Sequence, residues 1–281
     1  MQTLGVVPAE WTASDIDGQA VFVVQNLQDV RDKWPLFLAG KPDFVKVFLL
    51  YSEQHDQRKD DPAYQYRRGI DPALVPAIVE RARAAKLTVS AHVYTAADFR
   101  TAVDAGVDQI AHLPGIGYDE KLGRDRFRLT DEDALRAARQ GVTVISTLTE
   151  FYDDMTVKPG LHEYFDDVIR SNFQKLRVAG VPVLIGSDQF RRTTDVEARA
   201  LSRLGLYTNL ELLQVWCVDT PRMIFPDRRI GSLEPAYEAS FLVLEGNPLD
   251  HPSNTQRIAL RVKSGHVLLP GNPPFPPLKK K

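Results

Sequence analysis

Residues 88–113 read TVSAHVYTAADFRTAVDAGVDQIAHL. Two short apolar runs, 88–93 and 108–113, enclose a stretch with helical spacing that ends on Gly106. A near-continuous apolar strand, a helix closed by glycine and a second such strand form the βαβ unit of a parallel sheet covered on both faces. The pattern repeats outward. FVKVFLL (44–50) precedes a helix expected over 72–86, and VTVISTL (142–148) follows one expected over 131–140. That helix opens on Thr130-Asp131-Glu132-Asp133, an acidic first turn suited to a helix N-terminus. VPVLIGS (181–187) follows a helix ending near Gly180, and Gly106, Gly141 and Gly180 all stand where helix C-caps are wanted. The fold class is α/β, with QAVFVV (19–24) a short sixth strand candidate beside five clear ones.

Beyond residue 205 the pattern changes. One helix is expected over 210–218, then strands over 240–244 and 258–263, and a tight turn at Gly265 before 266–269, a hairpin signature. A (β/α)₈ barrel needs eight strands and typically about 250 residues. The strand count therefore predicts a partial barrel over 1–225, the strands of a small β-domain over 226–270, and a Pro/Lys-rich extended tail over 271–281.

Bulk properties narrow the function classes. The 281 residues are 43% hydrophobic and carry a net charge of −2, which gives no electrostatic drive toward nucleic acid. No run approaches the roughly 18 to 20 apolar residues of a membrane span, and the first residues lack the basic and apolar regions of a signal peptide. With Met1 as the start, a cytoplasmic location is expected. Cys217 is the single cysteine, which excludes an intrachain disulfide, and its apolar helical setting predicts a buried thiol.

Four polar residues interrupt the apolar strands: Lys46, His92, His112 and Asp188. In parallel α/β folds ligands bind at the C-terminal ends of strands, and all but Lys46 lie at such ends. Singly, each histidine reads as a satisfied core or surface group, Asp188 as a helix cap and Lys46 as a snorkelling side chain. A buried, unpaired ammonium is nevertheless costly. Together the four form a convergent set. Two imidazoles, an aspartate and an anionic bridge suit zinc or a related divalent ion. Such an ion activates water, and a neighbouring carboxylate can relay its proton.

At these residues the chain resembles the amidohydrolase superfamily, in its imidazolonepropionase-like and Xaa-Pro dipeptidase-like branch. VSAHVY (89–94) is similar to that branch's fifth barrel strand, AGVDQIAH (105–112) to its sixth and LIGSD (184–188) to its eighth. IGSLEP (230–235) and FLVLEGNPL (241–249) are similar to its return into a β-sandwich. The resemblance implies a (β/α)₈ barrel and hydrolysis of amide, peptide or cyclic amide C–N bonds by metal-activated water. It implies Lys46 as a carbamate ligand on the fourth strand, His92 and His112 as ligands, Asp188 as ligand and general base, and one or two divalent ions, with zinc expected. Tyr94 is the expected substrate contact.

Two departures stand out. No His-x-His pair, which the family carries on its first strand, occurs in the chain, and His55 lies after the fourth strand where it cannot substitute. The family's Ala-Asp near the end is Ala239-Ser240, and its Pro-Gly is Pro235-Ala236. The expectation is a chain truncated at its N-terminus that covers about strands four to eight. Its open sheet edge would be covered in an oligomer.

Three readings stay open: a metal hydrolase for small-molecule or peptide-like substrates, a non-catalytic remnant, and a lyase using Lys46 as a Schiff-base nucleophile. Substrate choice would rest in the loops after the strands, 51–69, 114–128, 150–162 and 189–195.

Overall fold

The computed structural model describes residues 3–4, 21–64, 68–118, 120–158, 160–188 and 193–269, and the expected tail over 271–281 lies outside them. The chain divides into two units, Met1–Asp188 and Gln189–Lys281. The second unit therefore begins well before the boundary at 225 that composition suggests, because helices join the C-terminal strands in it.

In the first unit, β1 (Thr3–Leu4), β2 (Val21–Phe22), β3 (Phe44–Phe48), β4 (Thr88–His92), β5 (Gln109–Ala111), β6 (Thr143–Ser146) and β7 (Val183–Ile185) form one sheet. Its order is β2-β1-β3-β4-β5-β6-β7, and every pairing is parallel. This is one strand more than the sequence suggests. Two residues at β1 are too few to show a period of two, so nothing local announces them. Among the described residues β7 does not pair with β2, and the sheet is open at both ends.

The helices follow from their caps and apolar faces. α1 (Leu27–Ala39), absent from the sequence reading, starts on Asn26, whose side chain accepts from the Asp29 amide, and buries Val30, Trp34 and Phe37. Pro35 lies inside it, a residue that disfavours a helix interior. α2 (Val75–Ala84), α3 (Ala96–Ala105) and α4 (Asp131–Arg139) lie where expected. α3 and α4 each open with a reciprocal capping box, Thr95 with Asp98 and Thr130 with Asp133, of the kind worth about 1 kcal/mol. Gly106, Gly141 and Gly180 all adopt positive φ after their helices. α5 (Thr149–Val157), α6 (Gly160–Tyr164) and α7 (Arg170–Val178) follow, with a π-helical turn at Phe165–Ile169 between the last two.

Asp98 does more than cap α3. Its carboxylate, fully buried, accepts from the backbone amides of Tyr51, Ser52, Tyr94 and Thr95 and from the Ser52 hydroxyl, at 2.5–3.1 Å. It thus binds the loop after β3 to the loop after β4. Sequence shows it only as an N3 acid, since its partners at 51–52 are 46 and 47 residues away.

The second unit holds α8 (Asp195–Arg203), α9 (Asn209–Gln214) and α10 (Thr220–Ile224), the last two joined by a π-helical turn at Val215–Asp219. The helix expected over 210–218 therefore runs on to 224. Its β8 (Phe241–Leu244), β9 (Ile258–Lys263) and β10 (His266–Leu268) make an antiparallel sheet in the order β10-β9-β8. The adjacent residues Leu242 and Val243 are both exposed. Neighbours on a strand face opposite sides, so neither face is fully covered by the described residues. Cys217, expected in a core, is exposed. It lies in the π-helical turn and lines an open cavity with Leu213, Trp216 and Phe225.

Replacing Asp98 by Ala strands four backbone donors, and each unsatisfied buried donor costs about 1–3 kcal/mol. Urea unfolding of Asp98→Ala is expected to show a loss of more than ~3 kcal/mol, with Asp98→Asn losing less.

Candidate active site

Sheet register sets the first part of the site. Phe48 pairs with His92 and Lys46 with Ser90, so Lys46 and His92 share one face of adjacent strands. Ala111 pairs with His92. The next residue, His112, would face the opposite side on a regular strand. Its φ of 83° breaks the alternation and returns the ring to the side of His92. A left-handed conformation at a non-glycine residue costs on the order of 1–3 kcal/mol. Asp188 after β7 (φ 51°) and Tyr51 after β3 (φ 54°) are held in the same region.

The two histidines meet. His112 Nε2 stands 2.7 Å from His92 Nδ1, and His112 Nδ1 stands 2.5 Å from Thr147 Oγ1. Thr147, directly after β6, is the contribution of the one central strand in which the sequence shows no candidate. Whichever tautomer is drawn, His92 Nε2 is left buried without a hydrogen-bond partner. Asp188 Oδ2 lies 4.0 Å from His112 Nε2, and its side chain is 62% exposed. Lys46 is buried, with its ammonium 5.6 Å from the Phe48 ring centre.

The charges act on one another. Burial pushes the Lys46 ammonium down to about 8, with Asp188 opposing. Burial, reinforced by Lys46, pushes the His112 imidazole down to about 3. Burial, then His112 and Lys46, hold His92 well below the ordinary imidazole value. Both rings are therefore neutral at physiological pH, the form in which imidazole binds a metal.

Lys46, His92, His112 and Asp188 are thus brought to one region of the sheet. Among the described residues no three His, Cys, Asp or Glu side chains stand together as a ligand set. Tyr94 packs edge-on to His92 (4.6 Å between ring centres) and 6.0 Å from Tyr51. Gly117 lies against its ring, where a Cβ would come within 2.3 Å of Cγ. His55 lies apart from the pair, 4.0 Å from Asp71.

Known proteins bear on this arrangement. No family model matches the chain. The curated ochratoxinase of Aspergillus niger is 27% identical over 249 residues, covering 86% of this chain and 48% of that protein. The chain thus spans about half the length of the curated relatives it matches. The crystal structure of Aspergillus niger ochratoxinase superposes with a TM-score of 0.70 at 20% identity, over 95% of this chain and 64% of its own. A prolidase complexed with N-methylphosphonate-L-proline gives 0.69 at 19% identity (95% and 67%). A Xaa-Pro dipeptidase with bound methionine gives 0.67 at 20% (92% and 63%). The chain resembles the amidohydrolase superfamily in fold as well as in motif. In this sheet the strands that the motifs matched, β4, β5 and β7, follow in the expected order, with β6 between the last two.

The lysine gives a pH signature. An unfolded lysine keeps its proton to about 10.5, whereas folded Lys46 releases it near 8. Between those values the unfolded state binds more protons, so stability rises with pH. In CO₂-free, metal-free buffer, Lys46→Met is expected to be the more stable protein at pH 7. Its advantage should shrink by on the order of 3 kcal/mol between pH 8 and 10.5, followed by urea unfolding.

Proposed function

We propose that the chain belongs to a metal-dependent hydrolase that cleaves amide C–N bonds in small-molecule or peptide-like substrates, on the C-terminal half of a (β/α)₈ barrel. The observation that carries this reading is the pair of neutral, buried imidazole nitrogens 2.7 Å apart beside Lys46 and Asp188. They fit a metal by the chemistry of the donor set. Neutral imidazole nitrogens are donors of the type that a divalent ion such as zinc takes. His92 Nε2 has no hydrogen bond that binding at the site would have to break.

A divalent ion such as zinc would supply there a Lewis acid that makes water a nucleophile at neutral pH. Lys46 would join His92 and His112 as a ligand once its free amine adds to CO₂, forming an N–C bond and releasing a proton. The carbamate would replace a buried cation by an anion, whose burial a bound cation would offset. Thr147 orients His112 through Nδ1. Asp188, exposed at the mouth of the site, takes the proton of the attacking water and returns it to the leaving amine. Tyr94 lines the approach to His92 and contacts substrate.

One observation favours a second reading. An amine with a pKa of about 8 is itself a usable nucleophile, as a Schiff-base lyase requires.

Elemental analysis after loading with zinc and bicarbonate is expected to show zinc that His92→Ala and His112→Ala fail to take up. Affinity should be weak, since the chain carries no His-x-His pair. On a panel of N-acyl amino acids and dipeptides, Asp188→Asn should lower whatever turnover the protein shows by at least ~10²-fold. Zinc uptake unchanged by both histidine substitutions would overturn the reading. A borohydride-trappable adduct at Lys46 in metal-free protein would transfer the case to the lyase.

A further inference from the structure

Three rings stand around His92: Phe48 (4.9 Å between ring centres), His112 (4.4 Å) and Tyr94 (4.6 Å). Its Nε2 is sealed from solvent and has no hydrogen-bond partner. An incoming group reaches that nitrogen only when its surroundings move. Phe48 belongs to β3, and His112 is tethered to Thr147 at 2.5 Å. Tyr94 stands in the loop after β4 and is half-buried, which makes it the neighbour best able to give way.

The backbone of Tyr94 is fixed, since its amide donates to Asp98 and its carbonyl accepts from Gly115 (3.0 Å). Movement therefore falls to the ring, and the ring is covered. Gly117, in the loop after β5, lies so close that a Cβ there would come within 2.3–2.7 Å of Cγ, Cδ1 and Cδ2. Only a residue without a side chain lets this loop rest on the ring. The loop is anchored on either side of Gly117. The Tyr164 hydroxyl donates to the Gly115 carbonyl (2.8 Å), and Tyr118 stacks on the Tyr164 ring at 3.7 Å.

At Gly117 itself the tie is the Tyr51 hydroxyl, which donates to its carbonyl at 3.1 Å. Tyr51 is held for this from several sides. Its amide donates to Asp98, its φ is 54°, and its ring stands edge-on to Tyr94 at 6.0 Å. The guanidinium carbon of buried Arg58 lies 3.9 Å from its ring centre and 4.6 Å from that of Tyr64. A strained, over-determined backbone of this kind is what a switch position requires.

We propose that the Tyr94 ring is a gate over His92, and that Tyr51 is the positioning residue that keeps it shut by holding Gly117 on the ring. Loss of the Tyr51 hydroxyl releases Gly117, the ring swings out, and His92 Nε2 becomes accessible. His112 does not open with it, because its nitrogens stay engaged by Thr147 and by His92. That a substrate waits behind this gate rests on the hydrolase reading, whereas access to the ring does not.

Diethyl pyrocarbonate transfers an ethoxycarbonyl group to unprotonated imidazole nitrogens, and peptide mass spectrometry reads the rate at each histidine of the metal-free chain. His251 and His266 are exposed and serve as references. In the unaltered chain His92 and His112 should react at least ~10-fold more slowly than these. Tyr51→Phe, which removes the hydroxyl alone, is expected to speed His92 about fivefold, the worth of one hydrogen bond, with His112 unmoved. Tyr94→Ala should speed His92 at least as much, and adding Tyr51→Phe to it should change nothing further, since both act through one ring.

Three results would overturn the proposal: a His92 as reactive as the references in the unaltered chain, a His92 rate unchanged in Tyr51→Phe, or His112 accelerating in step with His92. So would a Tyr51→Phe effect that persists undiminished in Tyr94→Ala. Should Tyr94→Ala fail to fold by circular dichroism, Tyr51→Phe decides through the contrast between His92 and His112. A reactive His92 in Tyr51→Phe, with zinc bound by neither protein, would sink the hydrolase reading alone. Zinc bound by the unaltered chain, with the His92 rate unmoved by Tyr51→Phe, would sink this one alone.

Discussion

An ammonium in the middle of a parallel sheet sets the terms for everything around it. Among the described residues Lys46 has apolar neighbours on its own strand and no carboxylate in contact, and the field of Asp188 opposes the effect of its burial. Lys46 is buried, so its charge acts at reduced dielectric, and both histidines respond by remaining neutral. The neutrality of the rings, the proximity of their nitrogens and the availability of a free amine are therefore one electrostatic fact seen from three residues. Removing the charge, by covalent modification or by substitution, would reset all of them together.

Register and backbone strain do the rest. Parallel pairing places Phe48, His92 and Ala111 in one row, which brings Lys46 to the His92 side without a special device. His112 and Asp188 come in only because their backbones turn left-handed at the strand ends. The loops that rim the site are tied by Asp98, so Tyr51 and Tyr94 answer to a residue that touches neither histidine.

Much of this was legible in the sequence, for reasons that are specific. The strands β3 to β7 announce themselves as apolar runs, β5 to β7 of them after glycine-ended helices, and the polar residues that interrupt those runs are the ones the sheet gathers. The capping acids of α4 could be read because cap and helix are local. The failures are non-local or too short. β1 has two residues and gains meaning only from its partners at Val21 and Lys46. Thr147 reaches His112 across 35 residues. Arg58 is one arginine among several in a polar loop until Tyr51 and Tyr64 are seen against it. Cys217 was assigned to a core by its apolar neighbours, yet its helix borders an open cavity.

The left-handed residues have a consequence for how such a chain drifts. At His112 and Asp188 a glycine would relieve the backbone, and at Lys46 almost any apolar residue would sit more comfortably. Selection for folding alone would thus erode three of the four residues, one harmless replacement at a time. A lineage freed from a chemical task would reach a calmer sheet within few substitutions.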